Sequence, residues 1–340
     1  MTRDDRIALL AELGRFLLHE GSDTLDLAIR KSCVENGWFT EENIRASLKA
    51  IATRMLDEQL LSEWAKSYPI PAQEKTIGLV MAGNIPLVGF HDWLCVFVTG
   101  HRALVKLSEK DKHLLPALVK TMGAWQKESW AYTEFLPDDT PLQGFDAVIA
   151  TGSNNTARYF QQYFGKYPHI IRKNRNSVAI LDGSESSSEL LVLGHDIFSY
   201  FGLGCRNVSK LYVPEHYSFD RLLEVLHEYK DVAHHHKYKN NFDYNLTLFL
   251  LNNMPYLNNG CLILREDPAP ASRIACLHYE YYTDADTLAE QLRAGESAIQ
   301  CIVSKQTLSG IETIPFGTTQ SPGLRDYADR VDVMAFLADG

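Results

Sequence analysis

The 340-residue sequence is short of basic residues, with 33 lysines and arginines against 43 aspartates and glutamates, a formal charge of −10. Nothing in it would neutralise phosphates along a groove, which argues against a nucleic-acid partner. No apolar run approaches the length that spans a bilayer, and there is no internal repeat or low-complexity segment. The six cysteines (Cys33, Cys95, Cys205, Cys261, Cys276, Cys301) form no CxxC pair. Reduced thiols are therefore expected, with no disulfide framework and no metal site. The first residues, MTRDDRIALLAELG, carry acids where a signal peptide needs a basic and then an apolar run. The expectation is a cytoplasmic protein with no membrane span. The GxGxxG fingerprint is missing too, so any dinucleotide would bind without the usual diphosphate loop.

An apolar content of 45% with 22% charged residues is ordinary for a soluble globular chain. The length exceeds what one hydrophobic core usually serves, so two domains, or one with a lobe, are expected. Residues 1–66 read as helices. Thr2 with Asp5 resembles a capping box, followed by Ile7, Leu10, Leu13 and Leu17 at helical spacing. Thr40, Glu41 and Glu42 open what reads as the longest helix, and Pro69 and Pro71 close the section.

From Lys75 the pattern alternates. Strands are expected at 76–83, 102–108 and 145–153, with helices at 86–98, 113–126 and from about Asn154. Strands separated by single helices imply parallel βαβ units, and ligands of such sheets sit at the carboxyl ends of the strands. Asn84, the segment Lys106–Glu109 and Thr151-Gly152-Ser153 fall there. A strand at 177–181 and a helix at 186–200 come next. A second α/β region then has helices at 219–229 and 285–292 and strands near 261–264, 274–279 and 298–303.

The stretch SYFGLGCRNVSKLYVP (Ser199 to Pro214) sets Cys205 in a glycine turn between that helix and a β-branched strand. Gly202 and Gly204 let the backbone turn sharply and a substrate approach closely. A thiol at such a junction reads as a nucleophile beside backbone N–H groups that could receive a developing charge. The blander reading is a glycine turn with an incidental cysteine.

GNIP at a strand end, K-x-S-E after the next strand and a G-x-x-C turn about a hundred residues on resemble the aldehyde dehydrogenase superfamily. AGNIPLVGFHDWLCV, VKLSEKDK, TGSNNTARYF, FGLGCRNVSKLYVP, KYKNNFDYN and IPFGTTQSPGLRDYADRVDVMAFL are similar to its LuxC-type fatty acyl-CoA reductases, over about Lys75 to Leu337. The resemblance implies an aldehyde-dehydrogenase-like α/β fold: a Rossmann-type parallel-sheet cofactor domain, a second α/β catalytic domain and N-terminal helices. The expected division is a helical segment packed on the cofactor domain (1–66), a dinucleotide-binding domain (67–182), a catalytic domain carrying the cysteine (183–310) and a C-terminal segment (311–340).

By the same resemblance, Cys205 would attack an acyl-CoA thioester and Asn84 would donate to the oxyanion. Lys106, Ser108 and Glu109 would meet the adenine-side ribose, and Thr151, Gly152 and Ser153 the pyrophosphate and nicotinamide. NADPH or NADH would be the cofactor, acyl-CoA the substrate and an aldehyde the product, with a homo-oligomer left open. The segment Ile170–Leu181 holds no carboxylate where oxidising relatives keep a water-activating glutamate, which favours survival of a thioester. Two alternatives stay open: a CoA-acylating dehydrogenase running oxidatively, and a cysteine acyltransferase that has lost the dinucleotide. The E-x-FGP segment of the superfamily has no clear counterpart, and DPAPASRI (Asp267 to Ile274) stands in its place.

His234-His235-His236 reads as a surface or interface cluster, since adjacent histidines do not converge on a metal. His91 reads as a proton donor or as packing. Asn240–Asn245 reads as a substrate contact or a turn. Cys95, Cys261, Cys276 and Cys301 are expected to be inert core thiols.

Overall fold

The computed structural model describes residues 1–19 and 22–338. The chain divides into two compact units, Met1–Asn174 with Ser321–Gly340, and Arg175–Gln320. This differs from the four-part division expected. The N-terminal helices share one core with the first sheet, and the strand at 176–180 pairs into the second sheet.

The first unit opens with four helices, α1 (Arg3–His19), α2 (Asp23–Glu35), α3 (Glu41–Arg54) and α4 (Glu58–Lys66). Thr2 and Asp5 exchange bonds at the start of α1, the Thr2 amide donating to Asp5 Oδ2 at 2.7 Å. Ser22, Thr40 and Asp57 cap the next three. The helix after Thr40, expected from sequence to be the longest, is not: it has 14 residues against 17 in α1. The reason is that Met55 leaves helical geometry and Asp57 caps α4 immediately.

There follow β1 (Thr76–Val80), α5 (Phe90–Thr99), β2 (Arg102–Lys106), α6 (Leu114–Trp125), β3 (Thr133–Phe135), β4 (Ala147–Thr151), α7 (Asn154–Phe164) and β5 (His169–Arg172). All five strands are parallel, in the order β3-β2-β1-β4-β5. Ile77, Leu79, Ala103 and Val105 pack into the core formed with α1–α6. Val80, Val148 and Ala150 face a separate cluster with Phe145, Phe160 and Phe164 on the α7 side. Arg6 is buried and donates to Val98 O at 3.1 and 3.3 Å. It thereby places a cation on the α5 carboxyl end, where the helix dipole favours it. The helix expected from Pro86 begins only at Phe90, because residues 84–89 form a turn in which Leu87 is left-handed (φ 58°). A C-terminal helix, Val333–Ala338, returns to this unit's core.

The second unit holds β6 (Asn176–Ile180), α8 (Ser187–Phe198), β7 (Val208–Pro214), α9 (Asp220–Leu226), α10 (His236–Leu251), β8 (Leu257–Asn258), β9 (Ile263–Glu266), β10 (Cys276–Tyr282), α11 (Ala285–Ala294) and β11 (Ile299–Val303). The strand order is β11-β6-β7-β10-β9-β8, parallel except for the β8–β9 pair. A full capping box of Ser186 and Glu189 starts α8. The helix expected at 219–229 ends at Leu226 and continues as a 3-10 segment, His227–His234. Helix α10 corrects the turn reading of Asn240–Asn245. Asn245 lies on it, buried, and donates to Ile274 O at 3.0 Å.

Candidate active site

In the first sheet the strand order reverses between β1 and β4, and the crevice outside the carboxyl ends at such a point is where open α/β sheets bind ligands. Register sets Val80 beside Lys106 and beside Ala150, so the ends of β1, β2 and β4 share one edge. The structure thereby brings together the Asn84 turn, the segment Lys106–Glu109 and Thr151-Gly152-Ser153. Asn84 is half-buried in the turn after β1. Ser153 caps α7, accepting the Thr156 amide at 3.1 Å. Gly152 is required by close packing, since a Cβ there would lie 2.9 Å from Phe160.

Lys106 does something the sequence does not reveal. Its ammonium donates to the carbonyl oxygens of Pro137, Asp138 and Thr140 at 2.8, 2.6 and 2.9 Å. All three of its protons are thus committed to the loop after β3. Ser108 lies in a tight turn closed by the Asp111 amide on Ser108 O at 3.0 Å, and Glu109 is exposed beside it.

Cys205 belongs to the second unit and sits, half-buried, at the amino ends of β6 and β7, an edge the carboxyl-end rule does not find. Its carbonyl accepts from the Ser177 hydroxyl at 3.0 Å, and Ser177 Oγ in turn accepts the Cys301 amide at 3.1 Å. Three consecutive residues before it are left-handed: Tyr200 (φ 52°), Phe201 (φ 59°) and Gly202 (φ 75°). Two of them carry side chains, so the turn stores strain that its surroundings must hold.

Asn207 holds it. Buried, it accepts the Gly204 amide at 2.8 Å and donates to the carbonyls of Asp196, Ile197 and Ser199 at 3.1, 3.4 and 2.9 Å. One amide thus closes the carboxyl end of α8 and fixes the turn around the thiol. The sequence reading missed this residue, although an Asn two places after a turn cysteine and before an apolar strand was a readable signal. Asp196, fully buried, accepts the amides of Gly317 and Thr319 at 2.6 and 3.0 Å. It ties the FGTT run to α8, and burial pushes its carboxyl up against those bonds.

The other candidates resolve into packing. His91 sits between Trp64 and Tyr327, with Nε2 3.0 Å from Leu324 O. His235 caps α10 and stacks on Phe201. Among the described residues no three His, Cys, Asp or Glu side chains converge as a metal site would require. Cys95, Cys261, Cys276 and Cys301 are buried. Burial pushes the Cys261 thiol up to about 11 and the Cys276 thiol up to about 12, out of reach of thiolate chemistry near neutrality. Arg172, at the end of β5, is buried in an ion pair with Asp92.

No family model matches the chain. It is 24% identical over 229 residues to long-chain acyl-protein thioester reductase 2 of Photobacterium leiognathi, covering 58% of this chain and 48% of that one. The match therefore spans about half the length of that curated relative. Among solved structures it superposes on aldehyde dehydrogenase 21 from Physcomitrella patens, in complex with the reaction product succinate, with a TM-score of 0.65. There the identity is 14%, over 90% of this chain and 74% of that one. The NAD-dependent aldehyde dehydrogenase from Sinorhizobium meliloti gives 0.65 at 13%, over 91% and 71%. The chain has the fold of the aldehyde dehydrogenases and is similar in sequence to a long-chain acyl-protein thioester reductase.

Proposed function

We propose that this chain reduces acyl thioesters to aldehydes, with Cys205 as nucleophile, Asn84 as a donor to the oxyanion and a nicotinamide dinucleotide as reductant. The observation that carries the reading is the thiol on a strained, Asn207-held turn in a chain of aldehyde dehydrogenase fold. Similarity to a thioester reductase supports the substrate class.

The strand-end edge fits a dinucleotide. Helix α7 opens there, and the amides of a helix's first turn suit a diphosphate. Glu109 is exposed and can accept from ribose hydroxyls, while a 2′-phosphate would meet its charge. Lys106 commits its three protons to backbone carbonyls and has none left to donate to a phosphate oxygen. NADH is therefore the proposed donor ahead of NADPH.

The Cys205 sulfur attacks the thioester carbonyl carbon, and the side-chain N–H of Asn84 meets the negative oxygen. One such donor lowers a barrier by about 3 kcal/mol. The carbon–sulfur bond to CoA breaks, CoA leaves and takes up a proton, and an acyl group remains on Cys205. The dinucleotide, when bound, supplies hydride to that carbon. The carbonyl then re-forms as the bond to Cys205 breaks, releasing the aldehyde and the thiolate.

Water competes poorly for the acyl group. No carboxylate occurs from Ile170 to Leu181. Asp182 is engaged by Ser184, Gln306 and Lys305, and Glu185 by the amides of Asp182 and Gly183.

The test mixes the protein with a long-chain acyl-CoA and NADH, and follows thiol release, NADH loss and hydrazine-trapped aldehyde. Equal yields of the three are expected. CoA release with transfer of the acyl group to an added acceptor thiol, and no NADH loss, would move the assignment to an acyltransferase.

A further inference from the structure

The turn that carries Asn84 is held from two sides. Ser47 on α3 donates to Pro86 O at 3.0 Å, in a buried contact. From the other side, Asp111 Oδ2 accepts the amide of left-handed Leu87 at 2.7 Å. Asp111 is 8% exposed, and its Oδ1 is buried without a hydrogen-bond partner. It also closes the turn after β2, its amide bonding Ser108 O at 3.0 Å in a two-residue antiparallel bridge. That turn is itself anchored, since Asn36 Nδ2 donates to Lys110 O at 3.0 Å. The two turns touch with no room between them: a Cβ on Gly83 would lie 2.6 Å from Ser108 Oγ and 3.1 Å from the Asp111 amide.

A buried carboxyl is costly to keep, and a surface turn needs none. Here one carboxyl joins the turn proposed to bear the oxyanion donor to the turn proposed to meet the ribose. The geometry points to Asp111 as a positioning residue that locks the Asn84 turn onto the Ser108–Glu109 turn, so that the oxyanion donor is placed by the same group that shapes the cofactor edge. The role of Asn84 in this inference rests on the thioester-reductase reading. The joining of the two turns does not.

The bond to Asp111 holds Leu87 in a left-handed backbone that its side chain disfavours, so the turn relaxes when that acceptor is lost. Asp111→Ala removes the acceptor and frees the turn. Asp111→Asn keeps an oxygen acceptor of the same size for the Leu87 amide. Gly83→Ala leaves Asp111 in place and drives the turns apart.

The experiment has two arms on the full chain. In the first, amide hydrogen exchange is followed over residues 83–89. Asp111→Ala is expected to speed exchange there at least tenfold with little change in the second unit, and Asp111→Asn by less than threefold. Unchanged exchange in Asp111→Ala overturns the inference, whatever the protein's activity. In the second arm, the rate of Cys205 acylation by a long-chain acyl-CoA is read by intact mass. Asp111→Ala and Gly83→Ala are each expected to lower the saturating rate tenfold or more, with the half-saturating concentration unchanged within threefold. Asp111→Asn is expected to hold the rate within threefold. The double variant Asn84→Ala/Asp111→Ala is expected to react as Asn84→Ala does. Additive losses would show that Asp111 acts independently of Asn84 and overturn its positioning role. A wild type that takes no acyl group counts against the thioester reading, and the exchange arm then decides whether Asp111 joins the turns.

Discussion

Single polar side chains set the geometry of both candidate regions, and each leaves a measurable mark. Burial pushes the Asp111 carboxyl up to about 7 against the opposing bond from Leu87. Between roughly pH 4 and 7 the folded chain holds a proton there that the unfolded chain has released, so folding stability falls as pH rises through that window. At pH 8 the loss amounts to about 4 kcal/mol at most, taking 1.36 kcal/mol per unit. Asp111→Asn has no such charge to bury. It is expected to gain on the wild type between pH 5 and pH 8 in urea midpoints, and an equal difference at both pH values would refute this. Asn207→Ala leaves a buried amide and several carbonyls unmet. It is expected to lose about 2 kcal/mol or more of stability together with most Cys205 acylation. Acylation at the wild-type rate would show that the strained turn keeps its shape without the Asn207 amide.

Between residue and sheet, the strand ends and helix starts carry the candidate chemistry. Lys106 illustrates where a motif misleads: its place after a buried strand was legible, but its partners were three backbone carbonyls from a loop some thirty residues on. Lys106→Met is accordingly expected to lower the stability of the first unit by about 1 kcal/mol, the net worth of hydrogen bonds that are partly exposed to water, while leaving the NADH half-saturation within threefold. A tenfold weaker NADH interaction at unchanged stability would restore the ribose role. The parallel βαβ pattern, the helix starts at Thr2 and Thr40 and the helix leading to Cys205 were readable, because caps and periodicity are local. Helix α10 was not. Its Asn-rich stretch has turn-forming composition, and burial of Tyr238, Phe242 and Phe249 overrides it. The start of α5 was missed for a related reason. The left-handed Leu87 that delays it is fixed by Asp111, a contact across 24 positions of sequence.

At the scale of the molecule, two sheets with their own cores make the two units, whereas the sequence reading divided the chain in four and began the cysteine-bearing part at residue 183 where the second unit begins at Arg175. The strand Asn176–Ile180 looks like a continuation of the alternating pattern, and only its pairing with β7 and β11 assigns it to the second sheet. The cysteine turn was legible in the sequence, whereas the strain around it and the Asn207 clasp that holds it were not. Whether this chain forms a thioester on that turn is read most directly by intact mass after incubation with a long-chain acyl-CoA in the absence of dinucleotide. The account predicts one acyl group on the wild type, reversed by hydroxylamine, and none on Cys205→Ala. Equal acylation of Cys205→Ala, or a wild type left unmodified, would contradict it.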